Sequence, residues 1–113
     1  MNVSRRSEEG VTILDLAGKL TIGDGDVSLR NHVEEELSRG AKKILINLGD
    51  IKSMDSSGLG ELVRTKATAA HEGATIKLLH VEDKVRKILE MTRLIGVFDT
   101  FNDEIDAIAS FRT

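Results

Sequence analysis

Lys43-Ile44-Leu45-Ile46-Asn47-Leu48 is the segment that most restricts what this chain can become. Its apolar residues follow one another instead of alternating with polar ones. A strand with that pattern buries side chains on both faces, so it belongs at the centre of a sheet covered by helices. The 113 residues are enough for one such core, and 40% of them are of the AVILMFWYC set. Only three of these are aromatic, all Phe, so the interior must be built mainly from aliphatic side chains.

The flanking patterns supply the rest of the architecture. Val3–Ser7, a turn at Glu8-Glu9-Gly10 and Val11–Ala17 read as an antiparallel hairpin with its polar strand at the sheet edge. Gly18–Asp26 is predicted to be a loop, with Asp24 or Asp26 capping a helix that carries Leu29, Val33 and Leu37 and stops at Gly40. After the central strand, Gly49–Ser57 is expected to be a loop. A second helix follows, with Leu59, Leu62, Val63, Lys66 and Ala70 on one stripe and Gly73 at its end. Ala74–Val81 reads as a strand. A third helix begins at Asp83 with Val85, Ile88 and Leu89, and Val97–Phe101 reads as a short last strand. Asn102 is expected to cap a final helix carrying Ile105, Ile108 and Ala109. Residues 1–113 are thus expected to form a single α/β domain. Its sheet is mixed and four- to five-stranded, with an antiparallel N-terminal edge hairpin and packed helices.

Charge and composition remove several functions. Sixteen Lys+Arg against 19 Asp+Glu give a net charge of −3, which excludes a strongly basic nucleic-acid binder. With no Cys there is no disulfide, thiolate metal site or Cys nucleophile. The first residues are too polar for a signal peptide and no apolar run approaches membrane-spanning length, so a cytoplasmic location is expected. His32, His71 and His80 fall on separate elements and read as solvated or capping side chains. Asp24-Gly25-Asp26 begins like a calcium loop, but Leu29 occupies the position that requires Gly. Val63 replaces the third glycine of a dinucleotide fingerprint after Gly58-Leu59-Gly60. Ser56-Ser57-Gly58 is half of a nucleophile elbow, with Met54 where its first glycine belongs and no histidine assigned to either serine. The run Glu34-Glu35-Glu36 reads as a solvated helix face, and Phe98, Phe101 and Phe111 as the residues that pin the last helix to the sheet.

Ile51-Lys52-Ser53-Met54-Asp55-Ser56-Ser57-Gly58-Leu59-Gly60 asks for more than a structural explanation. It follows the most buried strand, where α/β sheets place their sites. Capping the second helix needs one residue such as Asp55 or Ser56. It does not need two serines followed by two glycines, which cost up to about 1 kcal/mol each relative to Ala within a helix. Small residues around a hydroxyl keep it open to an incoming enzyme, and a phosphate at a helix N-terminus is electrostatically stabilised.

Asp55-Ser56-Ser57-Gly58-Leu59-Gly60, following Ile44–Leu48, resembles the signature of the STAS domain, and in particular of the bacterial anti-sigma-factor antagonists. Leu16-Ala17-Gly18-Lys19-Leu20, Leu78-Leu79-His80-Val81 and Leu94-Ile95-Gly96-Val97-Phe98 resemble further elements of that family. The resemblance implies a protein–protein switch and no catalysis. Ser57 would be the phosphoacceptor, Asp55 and Ser56 its motif neighbours, and Gly58 and Leu59 part of the docking surface. The partners implied are a serine-kinase anti-sigma factor and a serine phosphatase, with ATP and magnesium belonging to the kinase and no cofactor of the chain's own. Thr21 stands where the family often has an acidic residue, and Asp24 and Asp26 follow after extra glycines, so the loop at Thr21 and Asp24 departs from the pattern. Two alternatives stay open: a STAS subunit of a signalling scaffold or transporter assembly, and an enzyme using Ser56 or Ser57 as nucleophile.

Overall fold

A two-residue turn at Glu9-Gly10, both with positive φ (50° and 80°), closes the first hairpin. This mirror-image turn matches the twist of paired strands, and its second position suits glycine. It joins β1 (Asn2–Glu8) to β2 (Val11–Leu20), which pair antiparallel. β3 (Lys43–Met54), β4 (Thr75–Leu79) and β5 (Thr100–Phe101) then add in sequence, each parallel to the one before, giving the sheet order β1-β2-β3-β4-β5. The crossovers contain α1 (Gly25–Ser38), α2 (Ser56–His71) and α3 (Asp83–Met91), and α4 (Glu104–Ser110) follows the last strand. This computed structural model describes residues 1–112.

Parallel strands added one after another require crossovers of one hand, which place every crossover helix on the same face. The core shows this. Leu29 and Val33 of α1, Leu59 and Leu62 of α2 and Val85 and Leu89 of α3 pack with Leu14, Leu16, Ile44, Ile46, Ile76 and Leu78. Side chains of opposite parity in the strands, among them Ile13, Leu45 and Leu79, pack instead with Ala107, Ile108 and Phe111 of α4. Ile44, Leu45 and Ile46 are all fully buried, as expected for a strand covered on both sides.

Several expectations are corrected. Gly49–Met54 is not a loop, nor is Gly18–Leu20: both continue their strands, paired from Ala17↔Asp50 to Leu20↔Met54. The ladder shifts register twice there, and Gly18 takes φ 109° between Ala17 and the second shift. The extension carries exposed Gly49, Asp50 and Lys52, so it lacks the apolar pattern that identifies a strand. The last strand is only Thr100–Phe101, because residues 95–97 form a 3₁₀ turn first. Asp103, not Asn102, caps α4 by accepting from the Asp106 N–H at 3.1 Å. Glu36 is buried, unlike Glu34 and Glu35, and its carboxylate accepts from Arg5 Nε at 2.7 Å and Arg39 at 3.3 Å. Of the three Phe, Phe111 and Phe101 lie on the α4 face and Phe98 on the other. Among the described residues, no helix is long and apolar enough to cross a membrane.

The short α4 is tied down by charge as well as by packing. Arg6 on β1 donates through Nε and Nη2 to Asp15 on β2, at 2.7 and 3.1 Å, and through Nη1 to Glu104 on α4, at 2.8 Å. These bonds raise the Arg6 pKa and hold the carboxyls of Asp15 and Glu104 below the ordinary range. Lowered carboxyl pKa values stabilise the fold above the ordinary carboxylate range, and that contribution is lost as pH falls through the lowered values. Arg6→Gln should therefore cost about 1–2 kcal/mol at neutral pH, a charged-pair value reduced for solvent screening. The difference from the parent in denaturant titrations should shrink below about pH 4. An undiminished difference at pH 3 would remove the ionic explanation.

Candidate functional site

The carboxyl end of β2 brings two helix N-termini together. A Cβ at Gly58, in the first turn of α2, would lie 2.0 Å from the Leu20 carbonyl oxygen. A Cβ at Gly25, the first residue of α1, would lie 2.4 Å from the Lys19 oxygen and 2.7 Å from Leu20 Cα. No side chain fits at either position, so both helices begin in contact with the β2 backbone. The Asp55 N–H also donates to Leu20 O at 3.4 Å. The glycine at 58 is thus a packing requirement. Gly60 has nothing within 4 Å of its missing side chain, so it alone of the pair leaves open surface.

Asp55 is the residue that organises this junction. Its extended backbone places it at the N-cap of α2, where Oδ1 accepts from the Gly58 N–H at 2.9 Å. Its other oxygen, Oδ2, accepts from the Ile22 N–H at 2.9 Å, across 33 positions of sequence. One carboxylate therefore caps the helix and fastens the loop between β2 and α1. The Gly58 and Ile22 amides, in that order, hold the Asp55 carboxyl below the ordinary aspartate range, and the Ser57 amide adds to them.

Around this clamp, Ser56 is exposed and Ser57 half-buried in the first turn of α2. Leu59, expected on a docking surface, is only 7% exposed and lies in the main core, and Gly58 is buried against Leu20. Their part in this structure is to seat α2. Thr21 is half-buried, and its carbonyl accepts from Asp26 N at 3.1 Å. Asp24 stands at the N-cap of α1 but makes no side-chain cap bond; its carboxylate meets the ammonium of Met1. Asp26 is not the cap either, since it lies in the first turn of α1. There its Oδ1 accepts from Gly23 N at 2.9 Å and Val27 N at 2.7 Å and so ties the loop to the helix. Two apolar residues unremarked in the sequence also lie here, Ile22 at 71% and Val27 at 37% exposure. An apolar residue inside a Gly/Asp loop is a signal that could have marked Ile22. His71 closes the far end of α2, about 21 Å along the axis from Ser57 at 1.5 Å per residue.

A mixed sheet with three helices on one face, and a hydroxyl-bearing helix N-terminus at the end of its central strand, defines a domain of the STAS class. The chain belongs to the family described as "Mlab, STAS domain", whose sequence model matches residues 3–99. It is 27% identical over 103 residues to a candidate anti-sigma factor antagonist of Thermotoga neapolitana, covering 88% of this chain and 91% of that one. It is also 27% identical over 99 residues to the anti-sigma-B factor antagonist of Bacillus subtilis, covering 88% and 89%. The crystal structure of a candidate antagonist from Thermotoga maritima superposes with a TM-score of 0.89 at 25% identity, covering 98% of this chain and 95% of that one.

Two predictions follow from the junction. Gly58→Ala forces α2 off the β2 backbone and should abolish cooperative thermal unfolding or lower its midpoint sharply. Gly60→Ala meets open space and should gain up to about 1 kcal/mol from helix propensity. Similar melting of the two variants would refute the packing argument. Asp55→Ala should lower the melting temperature at neutral pH, with the gap narrowing as pH falls below about 4. The sign follows from the lowered carboxyl pKa: its contribution is present above the ordinary aspartate value and disappears on protonation. A gap that stays constant from pH 7 to pH 3 would show that the carboxylate charge does not matter.

Proposed function

We propose that this protein is an anti-sigma-factor antagonist, switched by phosphorylation of Ser57. Unmodified, it binds an anti-sigma factor that is also a serine kinase, and so frees a sigma factor. Phosphorylated, it lets go, and a serine phosphatase resets it. ATP and magnesium act on the kinase side, and the chain is the substrate. The observation that carries this reading is the Asp55 clamp. One carboxylate holds the first turn of α2, with its half-buried Ser57, against the loop that presents exposed Ile22. A partner docking on Ile22 would therefore lie against Ser57. The relatives named as anti-sigma factor antagonists support the same reading.

A phosphate adds about −1.5 to −2 charge at pH 7. At the start of α2 the helix amides and macrodipole stabilise it, while the Asp55 carboxylate opposes it, so the fold persists. A partner packed over Ser57 must desolvate that charge. A loss of only about 2.7 kcal/mol weakens binding roughly a hundredfold.

The experiment is incubation with a serine-kinase anti-sigma factor, with ATP and magnesium, followed by mass spectrometry and calorimetric titration. Phosphate is expected on Ser57, absent from Ser57→Ala and retained in Ser56→Ala. Thr65 is no competitor, since it is buried and its hydroxyl donates to Leu62 O at 2.9 Å. The phosphorylated protein should keep its circular dichroism spectrum and bind about a hundredfold more weakly. Phosphate on Ser56, or undiminished binding, would overturn the proposal.

A further inference from the structure

Glu61 is the group beside the proposed switch that the switch leaves unused. Its side chain is 2% exposed, and Oε2 is buried with no hydrogen-bond partner among the described residues. The other oxygen, Oε1, accepts from Arg64 Nη1 at 3.0 Å and lies 4.0 Å from Nη1 of Arg30 on α1. At 4.0 Å the Arg30 contact is longer than a hydrogen bond, and the Arg30 side chain is 40% exposed. A buried carboxylate therefore holds an outlying guanidinium loosely. Helical side chains lean toward the helix N-terminus, so the Glu61 carboxylate overlies the preceding turn, which carries Ser57. Ser57 and Glu61 are i, i+4 neighbours, with Cβ atoms about 5–6 Å apart. Arg30 of α1 thus contacts a carboxylate carried one turn from Ser57 on the same face of α2.

We propose that Arg30 is the counter-ion of a phosphate on Ser57, leaving its loose contact with Glu61 to close on the phosphate from α1. The inference rests on the reading of Ser57 as the phosphoacceptor. The charged groups of the neighbourhood make the choice a narrow one. Asp55 precedes α2, Asp24 and Asp26 begin α1, and Glu61 lies one turn along α2, all of them carboxylates. The Met1 ammonium is already paired with Asp24, which leaves Arg30 and Arg64 as the cations in contact with these carboxylates. Arg64 is seven residues from Ser57 on the same helix and already hydrogen-bonded to Glu61. A phosphate dianion offers three acceptor oxygens to a planar guanidinium, which pairs with it through two parallel N–H···O bonds. After the exchange Glu61 keeps Arg64, so its buried charge is not left alone. The phosphate is then held against the domain, and the same movement withdraws the Arg30 charge from the outer surface.

Phosphoserine placed at position 57 during synthesis tests this without any kinase. Its second ionisation is followed by ³¹P NMR in the parent, Arg30→Gln and Glu61→Gln proteins. In the parent it should fall about one pH unit below the ordinary value near 6, a roughly tenfold preference for the dianion. Arg30→Gln should return it to about 6. Glu61→Gln, which removes the competing carboxylate, should lower it further. Equal values in the parent and Arg30→Gln, or a parent value at or above about 6, would overturn the proposal. A kinase that ignores Ser57 in the unmodified protein would instead refute the switch reading, while the titration still decides the role of Arg30.

Discussion

The carbonyl group of Leu20 occupies space that a side chain at position 58 would need, and the Leu20 backbone fills the space beside position 25. Two helices can start at the end of β2 only because both positions are glycine. Their converging N-termini put Ser57, the loop from Thr21 to Asp24 and the start of α1 within one small region. Every later property of the site depends on that approach. The Asp55 carboxylate can span two segments 33 residues apart because the strand end holds them at hydrogen-bonding distance.

Electrostatically, the region is poised and not saturated. Asp55 is held ionised by backbone amides, and the first turn of α2 offers its own N–H groups to an anion. Glu61 is buried with one oxygen unpaired and with Arg30 just beyond hydrogen-bonding distance. A new negative charge at Ser57 would meet both a helix terminus that favours it and carboxylates that oppose it. In the role proposed for Arg30, a guanidinium from a different helix tips that balance. The opposite face of the sheet uses the same chemistry for a purely structural end: Arg6, Asp15 and Glu104 join β1, β2 and the short α4.

Much of the fold was legible because its signals are local. The unbroken Ile44-Leu45-Ile46 run identified a doubly covered strand, and the stripes through Leu29, Leu62 and Val85 identified the helices packed on it. The strand extensions at Gly18–Leu20 and Gly49–Met54 were not legible. Exposed Lys19, Gly49, Asp50 and Lys52 interrupt them, so the buried Leu20 and Met54 at their ends stand too isolated to make a hydrophobic pattern. Glu36 was misread for a related reason. A glutamate in a run of three looks solvated until Arg5, 31 residues earlier, is known to cover it.

For the site, the residues from Asp55 to Gly60 identify the family, since a short motif survives as a string. Capping by Asp55 was also readable, because a cap is a contact of three residues' span. What tertiary structure alone decided is the meaning of each position within the string. Gly58 serves packing while Gly60 leaves surface open, Leu59 belongs to the core, and Ile22 stands out beside the serines. Periodicity and caps act over a few residues, and a linear sequence records them. The approach of Gly58 to Leu20, of Asp55 to Ile22 and of Arg30 to Glu61 spans 31 to 38 positions, and only the folded chain brings those atoms within reach.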